Sequence, residues 1–268
     1  MKQVGQKKYR MLISDTDVPC IYEIDENSNV IRTIFDVKIC FSLFRDELGN
    51  IVCPNYDCNG GSVISIAPDG TKREIFSADG EIFSCHVQEN GNIVIGDLAA
   101  SRIVEIDCLG KILKEIEVDY HGIQHECMRM VRKTEDGYFL VQPGTSSIIH
   151  FDLDGNEVKR FATRPDAFGV APLPSGDLYY TCMAGIFKLD KDGREIWSFT
   201  DADAEGINIR WILDITLTDE GNLLVCNWMG HGHLDEGVHF FEITPDKDIV
   251  WQLDCKGEFK TPGAFFIC

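Results

Sequence analysis

The chain has 268 residues, 44% of them hydrophobic, and its 44 Asp and Glu outweigh 25 Lys and Arg for a net charge of −19. Such a surface repels phosphate backbones and anionic lipid, so neither nucleic acid nor a membrane is an expected partner. The opening stretch MKQVGQKKYRMLISDTD lacks the apolar core of a signal peptide, and no apolar run reaches the length of a membrane span, which predicts a cytoplasmic protein.

Taken along the chain, one pattern recurs. Tyr9 precedes Met11-Leu12-Ile13-Ser14-Asp15, and the same strand then follows a glycine five times, at Gly49-Asn50, Gly91-Asn92, Gly137-Tyr138, Gly176-Asp177 and Gly221-Asn222. A second phrase follows each copy: CIYEIDENSNVIRTI, SVISIAPDGTKREIF, RIVEIDCLGKILKEI, SIIHFDLDGNEVKRF, GIFKLDKDGREIWSF and HFFEITPDKDIVWQL. Alternating apolar and polar residues around a turn read as two half-buried antiparallel strands, with Asp-Gly as the hairpin signal. The DLDG and DKDG turns are not calcium loops, because their glycine stands at position 4 rather than 6. A repeat of about 42 residues holding four short strands is one blade of a β-propeller.

An inner strand precedes each of the five glycines: FSLFRDE, FSCHVQEN, ECMRMVRKTED, AFGVAPLPS and WILDITLTDE. The C-terminal PGAFFIC has no following strand of its own, so it is expected to complete the blade that begins at Met11. The predicted fold is all-β: residues 1–268 form a single six-bladed propeller with four antiparallel strands per blade.

The repeats resemble six-bladed propellers of the broad group containing NHL repeats, gluconolactonase-like enzymes and strictosidine synthase-like proteins. GVHFFEITPDKDIVWQL is also similar to segments of arylsulfotransferase-like and quinoprotein-like propellers. Gluconolactonase-like enzymes hold a divalent metal with inner-strand Glu, Asn and Asp about eight residues before the turn glycine. Phe41, Phe83, Phe168 and Leu213 stand there in this chain, so that metal site is not carried over. Trp197 and Trp251 are the only likeness to quinoproteins and are expected to pack between blades. No pyrroloquinoline quinone (PQQ) is expected, and no nucleotide either, since phosphate-binding glycine patterns are missing.

Propeller topology places two sets of loops on one face. Residues 119–126 and 201–205 belong to the first set, 55–59 and 227–236 to the second. They bring His121, His125, His231 and His233 to one end of the channel, where they are candidate ligands for a divalent metal ion, or else bond to loop backbone or solvent. His86, on an inner strand, is expected to reach the channel roughly level with Arg129, while His150 and His239 are expected to lie away from the mouth. Arg129 and Arg210 are a candidate anion clamp, or else pair with Asp214 or Glu126. Trp211, Asp214, Asn227 and Trp228 complete the candidate ligand-binding set. Most of the 11 cysteines fall in apolar runs and are expected to be reduced core thiols.

Two functions suit this inventory. One is a hydrolase or lyase, metal-assisted or using His86, His121 and His125 with Arg129 and Arg210, that acts on a small polar or anionic, carbohydrate-like molecule. The other is a non-catalytic propeller that binds a ligand or a protein.

Overall fold

A computed structural model describes every residue except Cys58, Tyr120, His121, Lys256 and Glu258. It shows six antiparallel sheets arranged as a propeller. Blades 2 to 6 run in chain order from inner to outer strand, with inner strands Phe44–Arg45, Ile82–Val87, Val131–Thr134, Val170–Pro172 and Trp211–Leu217. Blade 1 is built from both ends of the chain: Pro262–Ile267 is its inner strand and pairs with Met11–Asp15. Among the described residues no helix is long and apolar enough to cross a membrane.

One finding was not foreseen from the sequence. Lys2–Gly5 forms a fifth strand on blade 6, paired with Ile249–Asp254. Gln3 fixes it there, because its side-chain oxygen accepts the Trp251 indole N–H at 3.0 Å while its amide donates to Tyr9 O at 2.9 Å. The chain therefore overlaps itself on two neighbouring blades.

The repeated turn explains why the blades are alike. In blades 2 to 5 the outer hairpin ends on Gly70, Gly110, Gly155 and Gly193, each with φ between +90° and +93°. Each donates its N–H to the carbonyl three residues earlier, as Gly155 does to Asp152 at 3.1 Å. This is a type I turn closed by a left-handed residue, and beyond it a one-residue register shift, a β-bulge, recurs between the third and fourth strands of all six blades. The aspartate that opens the turn in blades 1, 3, 4 and 5 accepts two backbone N–H groups. These bonds hold the carboxyls of Asp107 and Asp190 below the usual range; at Asp25 and Asp152 an Asn side-chain amide lowers the pKa further.

Both faces of each sheet are buried against neighbours, so one core becomes six seams. Met11 and Ile13 face blade 6 with Leu224 and Trp251, whereas Leu12 faces blade 2 with Ile51 and Cys53. Trp251 and Trp197 pack in seams as expected, Trp197 donating to Pro245 O at 2.8 Å. Ten cysteines are described; all are unpaired, and all but Cys108 and Cys268 are buried.

Polar groups also cross the seams. Glu23, Glu105 and Glu242 occupy the same place on the third strand of blades 1, 3 and 6. Glu105 accepts from Lys133, Tyr138 and Asn92, and Glu242 from Lys7, Tyr9 and Asn222.

Asp15 secures the ring closure. It is fully buried, and its carboxylate accepts the backbone N–H groups of Lys260 and Thr261 from the far end of the chain, as well as those of Asp17 and Val18. Asp15→Ala leaves these donors without a partner and is expected to cost about 3 kcal/mol, read as a lower denaturant midpoint at unchanged slope. Deletion of residues 262–268 removes the inner strand of blade 1 altogether, and the truncated chain is expected to lose its cooperative melting transition in calorimetry.

Candidate functional site

Two tiers of side chains line the channel, and counting back from each turn glycine separates them. Phe41, Phe83, Arg129, Phe168 and Leu213 stand eight residues before Gly49, Gly91, Gly137, Gly176 and Gly221. Phe44, His86, Arg132, Ala171 and Thr216 stand five before the same glycines. The first set forms an apolar collar with Arg129 set in it. In blade 1 the collar position belongs to Gly263, where a Cβ would meet Thr16 Cγ2 at 2.7 Å and the Phe41 ring at 3.3 Å, so the missing side chain lets Phe41 lean in.

Above the collar lies a cavity of about 350 Å³. Phe41, Tyr56, Phe83, Phe168, Trp211 and Trp228 form its walls, and Thr16, Glu81, His125 and His231 its polar rim. Phe41 and Phe83 stack at 4.9 Å with 4° between planes, and Trp211 stacks on Trp228 at 5.0 Å and 22°.

Arg129 is the floor cation. Its guanidinium carbon lies 4.4 Å from the centre of the Phe83 ring and 4.8 Å from that of Phe168. No described residue accepts a hydrogen bond from the guanidinium, its Nε is buried without a partner, and burial lowers its pKa. Trp211 Nε1 and Trp228 Nε1 are likewise buried and unpartnered. Buried polar atoms are nearly always satisfied, so three orphaned donors packed around one cavity are a feature that folding by itself does not explain.

The acidic member is Glu81, whose Oε2 lies 3.0 Å from His125 Nδ1. The contact is close enough for an ion pair when the imidazole is protonated, but it lacks hydrogen-bond alignment, so this oxygen too counts among the unpartnered buried atoms. His125 sits on the short helix Gln124–Cys127 and meets the Phe83 ring edge-on at 5.6 Å.

Of the four histidines expected as metal ligands, the three described ones do not gather on one point. His125 lies against Glu81, His231 pairs with Asp17 at 2.5 Å and His233 with Glu236 at 2.6 Å. Among the described histidines, only His125 and His231 share the cavity. Among the described residues no group of three His, Cys, Asp or Glu is placed to hold an ion. His121 lies outside the described residues.

Four other expectations change. His86 belongs to the lower tier with Arg132, not level with Arg129. Its Nδ1 accepts the Lys133 backbone N–H at 3.1 Å, Phe44 packs against it at 5.4 Å, and burial, then Arg132, push its pKa down to about 3. Asp214 is absent from the upper cavity and forms a buried pair with Arg132 at 3.0 Å, lining the pocket of the opposite face. Burial raises the Asp214 pKa in spite of that cation. Arg210 turns outward to Glu236 at 2.7 Å. Asn227 is a buried structural strut, accepting from Arg210 N and donating to Asn208 O and Val238 O.

Of the expected residues, Arg129, His125, His231, Trp211 and Trp228 do come together. Glu81, Tyr56 and the phenylalanine collar were missed as site residues. The signal for the collar was in the sequence: Arg129 breaks an otherwise apolar series eight residues before the glycine.

No protein-family model and no curated protein matches the sequence. Solved structures do resemble it. A protein of unknown function from Bacteroides caccae is 21% identical, with a TM-score of 0.82, covering 97% of this chain and 98% of its own. Virginiamycin B lyase from Staphylococcus aureus, as a catalytically inactive variant with quinupristin, is 14% identical at a TM-score of 0.67, over 99% of this chain and 95% of that one. A chain of the nidogen/laminin complex is 12% identical at 0.70, over 96% and 97%. At these identities the likeness shows the fold, a six-bladed β-propeller, in agreement with the six sheets.

His86 gives the lower tier a pH signature. Its folded pKa lies below the ordinary histidine value of 6.5, so the unfolded chain takes up a proton first as pH falls from 6.5 toward 3. The contribution is complete above pH 6.5 and is lost on acidification, by about 1.4 kcal/mol at pH 5.5. His86→Gln is expected to flatten the acid limb of the stability curve by that amount, measured by urea unfolding at pH 7.5 and 5.5.

Proposed function

We propose that this propeller binds a small organic anion in the cavity above the phenylalanine collar and transforms it by acid–base chemistry of the lyase or hydrolase type. The observation that carries this reading is the Arg129 guanidinium, held between two phenyl rings on the cavity floor with no hydrogen-bond acceptor among the described residues. A half-buried cation without an ion-pair partner among the described residues costs stability, and an anion in the cavity offsets that cost. The cavity volume of about 350 Å³ falls within the range of small-molecule sites.

His125 is the acid–base group in this reading, with Glu81 beside Nδ1 to orient the ring and leave Nε2 for the ligand. No step is routed through a metal ion, since the described histidine candidates, His125, His231 and His233, do not converge. The lyase activity of one structural neighbour is consistent with such chemistry on a six-bladed ring but rests on its own residues. The aromatic walls favour a flat apolar body over a carbohydrate, whose hydroxyls need more polar partners than this rim offers.

A second reading is a binding propeller without turnover. It is favoured by the absence of Ser, Cys and Lys among the described residues lining the cavity, and a protein complex stands among the structural neighbours.

Screening small organic anions by thermal shift tests the proposal. Arg129→Met is expected to abolish the ligand-induced shift while raising the ligand-free melting temperature by about 2–4 °C, because an unpaired half-buried charge is removed. An unchanged shift in the variant refutes the anion site. For any ligand found, His125→Ala is expected to keep affinity within about twofold and to lower turnover at least about 100-fold, followed by mass spectrometry. Binding with no turnover by the unaltered protein establishes the second reading.

A further inference from the structure

The shape of the Arg129 environment narrows the anion to one class. Phe83 and Phe168 each present a ring to the guanidinium carbon, at 4.4 and 4.8 Å, so approach from those two sides is blocked and Nε is buried. What remains for a ligand is the Nη edge. A guanidinium edge offers two parallel N–H groups in one plane, which matches the two oxygens of a carboxylate. A tetrahedral oxyanion carries a third oxygen out of that plane, toward the rings. Charge argues the same way independently. The protein carries −19 overall, and Glu81 places a carboxylate on the rim of the same cavity, so a dianion meets more repulsion than a monoanion.

Depth sets the orientation. At the collar only about 10 Å³ of free space is left, so the cavity narrows at Arg129, the one Lys or Arg among the described residues that line it. The stacked Trp211 and Trp228 pair forms wall above it. A ligand therefore enters anion first, with its apolar body between the aromatic walls and its outer part beside His125 and His231.

Resting on the anion site argued above, we propose that the physiological ligand is a monoanionic carboxylate on a flat, apolar body, bound carboxylate-down on Arg129. Phenylalanine rings in place of metal ligands make the collar a selectivity device, which restricts the acceptor to a planar one.

Calorimetric titration with matched probes tests this. Benzoate, cinnamate and indole-3-acetate are the carboxylates; benzenesulfonate keeps the single charge and changes the geometry; phenylphosphate adds the second charge. At least one carboxylate is expected to bind about tenfold or more tightly than both comparison anions. Arg129→Lys, which keeps the charge and loses the fork, is expected to erase that preference, and Arg129→Met to remove binding. Both variants are first checked for the cooperative melting of the unaltered protein. Sulfonate or phosphate binding as tightly as the carboxylates overturns the carboxylate assignment and leaves the anion site standing. Failure of every probe to bind, with Arg129→Met melting no higher than the unaltered protein, overturns both.

Discussion

Everything at the channel depends on closing the ring in register, and one buried carboxylate ties the two ends of the chain at that point. Asp15 ends the second strand of blade 1 and accepts backbone N–H groups from Lys260 and Thr261, immediately before the inner strand begins. A one-residue slip of Pro262–Ile267 would turn its side chains to the other face and move Gly263 out of the collar. Phe41 would then have no space to lean into, and the floor beside Arg129 would open. The N-terminal strand on blade 6 adds a second overlap one blade away, so the seam between blades 6 and 1 joins strands from both ends of the chain.

The two arginines nearest the axis show how neighbouring positions reach opposite ends. Arg132, three residues after Arg129, meets Asp214 across the lower tier, with Ile215 N–H also donating to that carboxylate. This buried pair is satisfied and structural, and its value lies in filling the channel without leaving a charge alone. Arg129 has aromatic faces and, among the described residues, no carboxylate paired to it. Stability alone would favour an apolar residue there, as at Phe41, Phe83, Phe168 and Leu213. A feature that costs stability and sits in a cavity is better explained by ligand binding than by folding.

The loop histidines teach a related point. Their shared face was legible because a propeller fixes which loops share an end. Their partners were not. Asp17 comes from a turn of blade 1, Glu81 precedes the inner strand of blade 3, and Glu236 stands three residues along the same loop as His233. Each of the three described histidines lies against a carboxylate of an acidic chain, and this disperses them rather than gathering them on one ion. His86 was misplaced for a simpler reason: its level follows from counting back to the turn glycine, five residues, whereas Arg129 lies eight before its own.

The sequence by itself determined the blade count, the strand order within each blade and the closing role of residues 262–268. These follow from short-range pattern: alternating burial, a glycine with positive φ at a fixed place, and one unmatched strand at the end. Only the tertiary structure decided which side chains meet across the axis. Arg129 with Phe83 and Phe168, Arg132 with Asp214, and His231 with Asp17 are contacts between blades far apart in sequence. Their distances depend on strand twist, bulges and loop paths that no local pattern encodes. The N-terminal strand on blade 6 escaped for the same reason, since four residues carry too little periodicity to announce a partner that lies more than 240 residues away, at Trp251.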